Sequence, residues 1–162
     1  VNQVSNMNHG KYLDDDLKDV DPTKFCIGVA GYTEKHFEAP SLTTDIRYLK
    51  QKIDAGANYI VTQMFFDNKK FFKFIENCKA AGINVPILPG LKPFTTKTFH
   101  IDLPDDLVKA IEQCKNDDEV KQVGVEWCVM QSKELMEHKI ACLHYYTMSN
   151  ADIIKKIASQ VF

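Results

Sequence analysis

Three groups of side chains in this sequence have the types and spacing to do chemistry. Gln63 follows a short apolar, β-branched run at 59–61 that is bounded by Gly56 and Asp67, the pattern of a buried parallel strand. A carboxamide at the carboxyl end of such a strand offers a donor and an acceptor together, and α/β folds bind ligands at that end. A lone glutamine there ordinarily just ties down the next loop. The second group is the segment 31–36, Gly-Tyr-Thr-Glu-Lys-His, dense in hydrogen-bonding side chains and placed after the apolar run 25–30, a further strand candidate. The third is Asp45, Tyr48 and Lys52, whose spacings of three, four and seven keep them on one flank of a helix. Such a row is usually a solvated flank; over a set of strand ends it could instead hold a phosphate-bearing ligand.

The elements that must position these groups can be read in order. The chain opens without Met in a polar, helix-compatible stretch at 1–13, which reads as the end of a preceding segment, and Asp14 to Asp16 form an acidic connector. That run lacks the alternating ligands, central Gly and distal Glu of a calcium loop. Ser41 is the expected N-cap of a helix whose apolar face is Leu42, Ile46, Leu49 and Ile53, closed by Gly56. Asp67 caps the next helix, with Phe71, Phe74, Ile75 and Cys78 buried and Gly82 as its stop. A third strand is expected at 85–90. Pro104 then starts a helix bearing Leu107, Ala110, Ile111 and Cys114 on one face, and a longer helix runs through Val120, Val123, Trp127 and Met130. The run 140–146 is a fourth strand and 151–161 the last helix.

The order β-α-β-α-β-α-α-β-α, with strands apolar on both faces, implies a parallel sheet with right-handed crossovers. An open doubly wound sheet is one solution, but no glycine-rich phosphate fingerprint follows any strand; GVAG at 28–31 lacks the spacing. The other is part of a (β/α)8 TIM barrel. A complete barrel takes about 250 residues, so 162 correspond to roughly half of one.

Composition narrows the partners. Twenty Lys+Arg against 22 Asp+Glu give a net charge of −2, so no electrostatic footprint for nucleic acid or an anionic membrane is present. No apolar run approaches the about 18 residues of a spanning helix. The five cysteines, Cys26, Cys78, Cys114, Cys128 and Cys142, are odd in number and lack C-x-x-C spacing. Four sit in apolar periodic runs, the pattern of buried, reduced thiols in a cytoplasmic protein.

Four motifs, GVAGYTEKHFEA (28–39), DAGANYIVTQMFFD (54–67), PILPG (86–90) and LHYYTM (143–148), taken in this order, resemble the C-terminal half of methylenetetrahydrofolate reductase. The resemblance covers nearly all the chain, so residues 1–162 are expected to be strands 5 to 8 of a single FAD-binding barrel domain. It implies a flavoprotein that takes hydride from NADH or NADPH onto FAD and then reduces 5,10-methylenetetrahydrofolate to 5-methyltetrahydrofolate by ping-pong kinetics. A cytoplasmic homo-oligomer serving one-carbon and methionine metabolism goes with it. By the same resemblance Tyr32, His36 and Ala39 belong to the flavin pocket, Asp45, Tyr48, Gln51 and Lys52 to the nucleotide portion, Gln63 to the pterin, and Tyr146 to the region near the flavin. His100, His138 and His144 receive no role.

The departures carry expectations too. Tyr48 and Gln51 fall at positions that vary in the family, and Asn150 stands where many members carry an arginine thought to meet the folate tail. Between Lys97 and Thr98 the chain is several residues short of the family's substrate loop. The acidic residues that poise the flavin and protonate the folate lie on strands earlier than Phe25, so no catalytic residue is assigned and the isolated fragment is expected to be inactive. The competing readings are a non-catalytic half-barrel that serves as an interaction module, and a pterin-handling barrel without flavin.

Overall fold

A computed structural model describes residues 1–14, 16–17, 20–94 and 101–162. Helix α1 (Asn2–Met7) leads through a long connection into β1 (Gly28–Gly31), α2 (Leu42–Asp54), β2 (Tyr59–Thr62) and α3 (Asn68–Ala80). Then follow β3 (Ile87–Leu88), β4 (Gly90–Leu91), α4 (Asp105–Glu112), α5 (Asp117–Glu137), β5 (His144–Tyr145) and α6 (Ala151–Val161). Of the acidic run, Asp14 accepts the backbone N–H of Asp16 at 3.0 Å in an exposed turn, while Asp15 lies outside the described residues.

All pairings are parallel and run in sequence order. Gly28 is opposite Tyr59 and Gly31 opposite Thr62; Ile60 is opposite Ile87 and Val61 opposite Leu88. Pro89 has no N–H to give, so the ladder breaks there and resumes with Gly90 opposite His144 and Leu91 opposite Tyr145. The Pro89 carbonyl still accepts the His144 N–H at 3.0 Å, which keeps the row continuous. A doubly wound sheet reverses its strand order at a switch point. The order here has no reversal, which is the progression a (β/α) barrel uses.

The helices begin where their caps dictate. The Ser41 side chain accepts the Thr44 N–H and Asp67 that of Lys69, each satisfying an orphan donor of the first turn. Ile46, Leu49, Ile60, Phe74, Cys78 and Ile83 form one core between α2, α3 and the sheet. Phe65, Phe71, Leu91, Val125, Cys128, Leu135 and Ile157 form a second, and Phe66, Phe94 and Leu107 a third. Phe65 and Phe66 are neighbours in sequence yet drive into different cores, which rivets the loop after β2 from both sides.

Several expectations are corrected. The first strand is shorter than 25–30, and Phe25 and Cys26 are exposed. The third is split in two by Pro89. Of the run 140–146, only His144 and Tyr145 pair, and Ala141 and Cys142 are exposed. Among the described residues β1 pairs only with β2 and β5 only with β4, so each has one free edge and cannot be buried throughout. Met130 is exposed as well, because α4 ends at Glu112 and its packing covers only the first half of α5, around Val120, Val123 and Trp127.

All five cysteines are free, but only Cys78 and Cys128 are buried. Burial pushes the Cys78 thiol up to about 11 and the Cys128 thiol up to about 12, the latter against an opposing hydrogen bond from Ser132. The thiolate is the reactive form. A chromogenic disulfide reagent at pH 8 is therefore expected to label the exposed Cys26 and Cys142 in the native protein and to reach Cys78 and Cys128 only on unfolding, with sites read by peptide mapping.

Gly124 lies inside α5, where the backbone of Phe94 crosses so closely that a Cβ would stand 2.0 Å from the Phe94 carbonyl oxygen. Alanine gains about 1 kcal/mol in helix propensity over glycine, but overpacking against backbone costs about 1–3 kcal/mol or more. G124A is expected to lower the urea midpoint, with a net loss of about 1–2 kcal/mol. An unchanged or higher midpoint contradicts this packing.

Candidate functional site

The loops at the carboxyl ends of the strands carry Tyr32, His36, Ala39, Gln63 and Tyr146, while Asp45, Tyr48, Gln51 and Lys52 lie on α2. The loop after β1 is built around its own polar groups. Thr33 is buried, the Lys35 ammonium donates to the Ala39 carbonyl at 2.7 Å, and the Ala39 N–H closes on the His36 carbonyl at 2.9 Å. From α2, the Asp45 carboxylate accepts the His36 N–H at 2.9 Å. The helix flank and the loop are thus joined by one charge-assisted bond.

Between them lies an open groove of about 960 Å³. Tyr32, His36, Ala39, Asp45, Tyr48, Gln51 and Lys52 all line it, so seven of the nine sequence-derived candidates share one site. Its volume is at the upper end of the about 300–1,000 Å³ of small-molecule sites. Val1, Asn2 and Gln3 at the amino end, with Glu38, Pro40 and Ala55, complete the wall, and no sequence signal marked Asn2 or Gln3. Within the groove the Tyr32 and His36 rings meet edge to face with centroids 4.6 Å apart. His36 Nδ1 accepts the Glu38 N–H at 3.3 Å, which leaves Nε2 to carry the proton of the neutral ring. Lys52 is the one lysine or arginine among the described lining residues. It touches the Ala30 carbonyl at 3.5 Å, the limit of a hydrogen bond, so its charge is available to a ligand.

Gln63 and Tyr146 lie beside the groove without lining it. The Gln63 N–H donates to the Gly31 carbonyl at 2.8 Å, and its side-chain Oε1 accepts the Met64 N–H at 3.2 Å. Part of the bland reading therefore holds: the carboxamide does tie its own loop. Among the described residues its NH2 group makes no hydrogen bond, and that half remains for recognition. The Tyr146 hydroxyl donates to the Thr62 carbonyl at 2.9 Å. Burial raises the Tyr146 phenol, and the nearby Tyr32 phenol adds to the rise. Tyr146 thus links the groove's aromatic end to the strand that bears Gln63.

Sequence reasoning missed the groups that hold these loops. Asn68, at the start of α3, donates to the Gln131 carbonyl at 3.1 Å and to the Glu134 carboxylate at 2.7 Å. Gln131 Nε2 reaches the Phe65 carbonyl and Asn68 Oδ1, and Trp127 Nε1 donates to the Phe66 carbonyl at 2.9 Å. One signal was present: Gln131 is a polar residue on the buried face of α5, and a buried amide must find partners. Asn150 caps α6 by accepting the Ile153 N–H at 3.3 Å, a structural use of the position where an arginine was the family expectation. His138 donates from Nδ1 to the Glu134 carbonyl at 2.9 Å and His144 packs against Tyr146; neither lines the groove. The 97–98 junction and His100 lie outside the described residues. Among the described residues no cluster of three or more His, Cys, Asp or Glu could hold a metal, and no helix is long and apolar enough to cross a membrane.

Comparison with known proteins gives the arrangement its context. The family model described as methylenetetrahydrofolate reductase matches residues 3–161. The chain is similar to methylenetetrahydrofolate reductase (NADH) 1 of Arabidopsis thaliana, 41% identical over 77% of this chain and 24% of the relative. It is also similar to a probable methylenetetrahydrofolate reductase (NADPH) of Caenorhabditis elegans, 37% identical over 82% of this chain and 22% of the relative. For 5,10-methylenetetrahydrofolate reductase of Salmonella typhimurium the figures are 36%, 85% and 49%. The chain therefore spans about a quarter of the eukaryotic relatives and about half of the bacterial one. Among solved structures, an uncharacterized protein from Clostridium thermocellum that binds two copies of 5-methyl-5,6,7,8-tetrahydrofolic acid shares the fold. Its TM-score is 0.60 and its identity 19%, over 84% of this chain and 52% of that one. With a match that runs nearly from end to end, the chain belongs to the methylenetetrahydrofolate reductase family.

Proposed function

We propose that this chain is the second half, strands 5 to 8, of a (β/α)8 barrel that reduces 5,10-methylenetetrahydrofolate to 5-methyltetrahydrofolate. The observation that carries the reading is the groove itself, where seven candidate side chains from the loop after β1 and from one face of α2 line a single space. The unreversed parallel order and the free edges of β1 and β5 support a place within a larger barrel. A cytoplasmic, homo-oligomeric enzyme of one-carbon and methionine metabolism goes with the family reading.

The residues present suit FAD. Lys52 offers a mobile cation for the pyrophosphate, Asp45 has lone pairs left for a hydroxyl, and Tyr48 and Gln51 extend the same flank. Tyr32 and His36 supply flat, partly apolar surface for a ring system, and the small, buried Ala39 leaves it room. Bound there, FAD would supply the two-electron carrier between NADH or NADPH and the folate, in ping-pong alternation. The Gln63 NH2, which makes no hydrogen bond among the described residues, would donate to the amide-like edge of a pterin. The Clostridium protein's 5-methyl-5,6,7,8-tetrahydrofolic acid supports the substrate class.

Purification of the protein as its gene encodes it tests the reading. A yellow protein with flavin absorbance, oxidising NADH or NADPH and forming 5-methyltetrahydrofolate, is the expected result. A preparation that stays colourless when FAD is added speaks for the non-catalytic interaction module instead.

Substitution of the groove's cation sharpens the assignment. K52M is expected to weaken FAD binding roughly tenfold, the lower end for a hydrogen bond to a charged group because the site is open to water. The fold should be unaffected, since Lys52 is exposed. FAD affinity equal to wild type would remove Lys52 from the pyrophosphate site.

A further inference from the structure

Beside the groove, outside its lining, three charged side chains from distant parts of the chain converge on one another. Lys70, in the first turn of α3, donates from Nζ to Glu34 Oε1 and to Asp102 Oδ2, each at 2.8 Å. The backbone N–H of Asp102 donates to the other Glu34 oxygen, Oε2, at 3.2 Å. Glu34 therefore spends both oxygens, and the triad closes on itself. Each corner belongs to a different part of the site: Glu34 lies between Tyr32 and His36 in the loop after β1, Lys70 follows the loop that carries Gln63, and Asp102 sits between Ile101 and Leu103, both packed against the Phe66 core.

We infer that Lys70 is a positioning residue for the cofactor groove: by clamping Glu34 to Asp102 it fixes the loop that presents Tyr32 and His36 against the rest of the barrel end. The inference rests on the proposed FAD site and deepens it. An isolated surface ion pair contributes little. This one differs in three respects. It is a three-member network with a backbone donor; Glu34 and Lys70 are only one-fifth and one-third exposed; and although the Asp102 side chain is largely exposed, its backbone is anchored by the packed Ile101 and Leu103 on either side. Burial lowers the Lys70 ammonium, but the hydrogen bonds of Asp102 and Glu34 outweigh it and the net displacement is upward, as for a charge held by its partners. Ordering the loop through the clamp reduces the entropy that a ligand must overcome on binding.

The test is a double-mutant cycle on the natural protein, freed of flavin and titrated with FAD while flavin fluorescence is followed. K70M and E34Q are each expected to weaken FAD roughly three- to tenfold, and K70M/E34Q no more than the worse single, as coupled partners require. K70R, which keeps the cation, should recover most of the affinity. Wild-type affinity in K70M, or losses that simply multiply in the double variant, would overturn the proposal while leaving the FAD reading intact. If wild-type protein takes up no FAD, the cofactor reading falls and this proposal with it. Should K70M fail to fold by circular dichroism, E34Q and D102N decide instead: equal, non-multiplying losses support the clamp, and unchanged affinity overturns it.

Discussion

Thr62 is fully buried at the carboxyl tip of β2 and holds three segments together. Its hydroxyl oxygen accepts the Gly90 N–H at 2.9 Å, and its carbonyl accepts the Tyr146 hydroxyl at 2.9 Å. The first bond requires β4 to pass against the tip of β2 with no side chain between. A Cβ at Gly90 would stand 2.1 Å from the Thr62 carbonyl oxygen and 2.7 Å from the Tyr146 ring, so only glycine fits. This one close approach bridges the break that Pro89 makes in the ladder and brings the ends of β2, β4 and β5 to a common rim. The next residue in the chain is Gln63, whose position is inherited from it.

Around that rim, polar groups with assigned partners replace what loops usually lack. The loop after β1 is held by Lys35, Asp45 and Glu34, and the loop after β2 by Asn68, Trp127 and Gln131. Buried polar groups of this kind cost free energy unless every one is bonded, and no buried side-chain nitrogen or oxygen among the described residues is without a partner. The rigidity that a binding site needs thus comes from directed bonds, and the aromatic residues Phe65 and Phe66 add weight on either side.

What could be read from the sequence is what local chemistry determines. Ser41 and Asp67 announced the helices they cap, Gly56 and Gly82 their ends, and the periodicity of Leu42, Ile46, Leu49 and Ile53 the face that packs. The flank of Asp45, Tyr48 and Lys52 followed from helical spacing alone and does line the groove. The strands were read too long, because apolar runs such as 25–30 and 140–146 carry no mark of where pairing stops; that depends on whether a neighbour exists, as at the free edges of β1 and β5. The Glu34–Lys70–Asp102 triad joins residues 36 and 32 positions apart, and the Asn68–Gln131 pair 63 apart. No local pattern encodes such meetings, since they exist only after the crossovers have brought the strand tips together.

The single tryptophan of the chain is Trp127, and its indole N–H is committed to the carbonyl of Phe66. Nature has thereby placed the molecule's one indole chromophore in direct contact with the segment that carries Gln63. Its emission is an intrinsic optical gauge of that segment, sensitive to whether the bond is made and whether water has entered, with no label to attach.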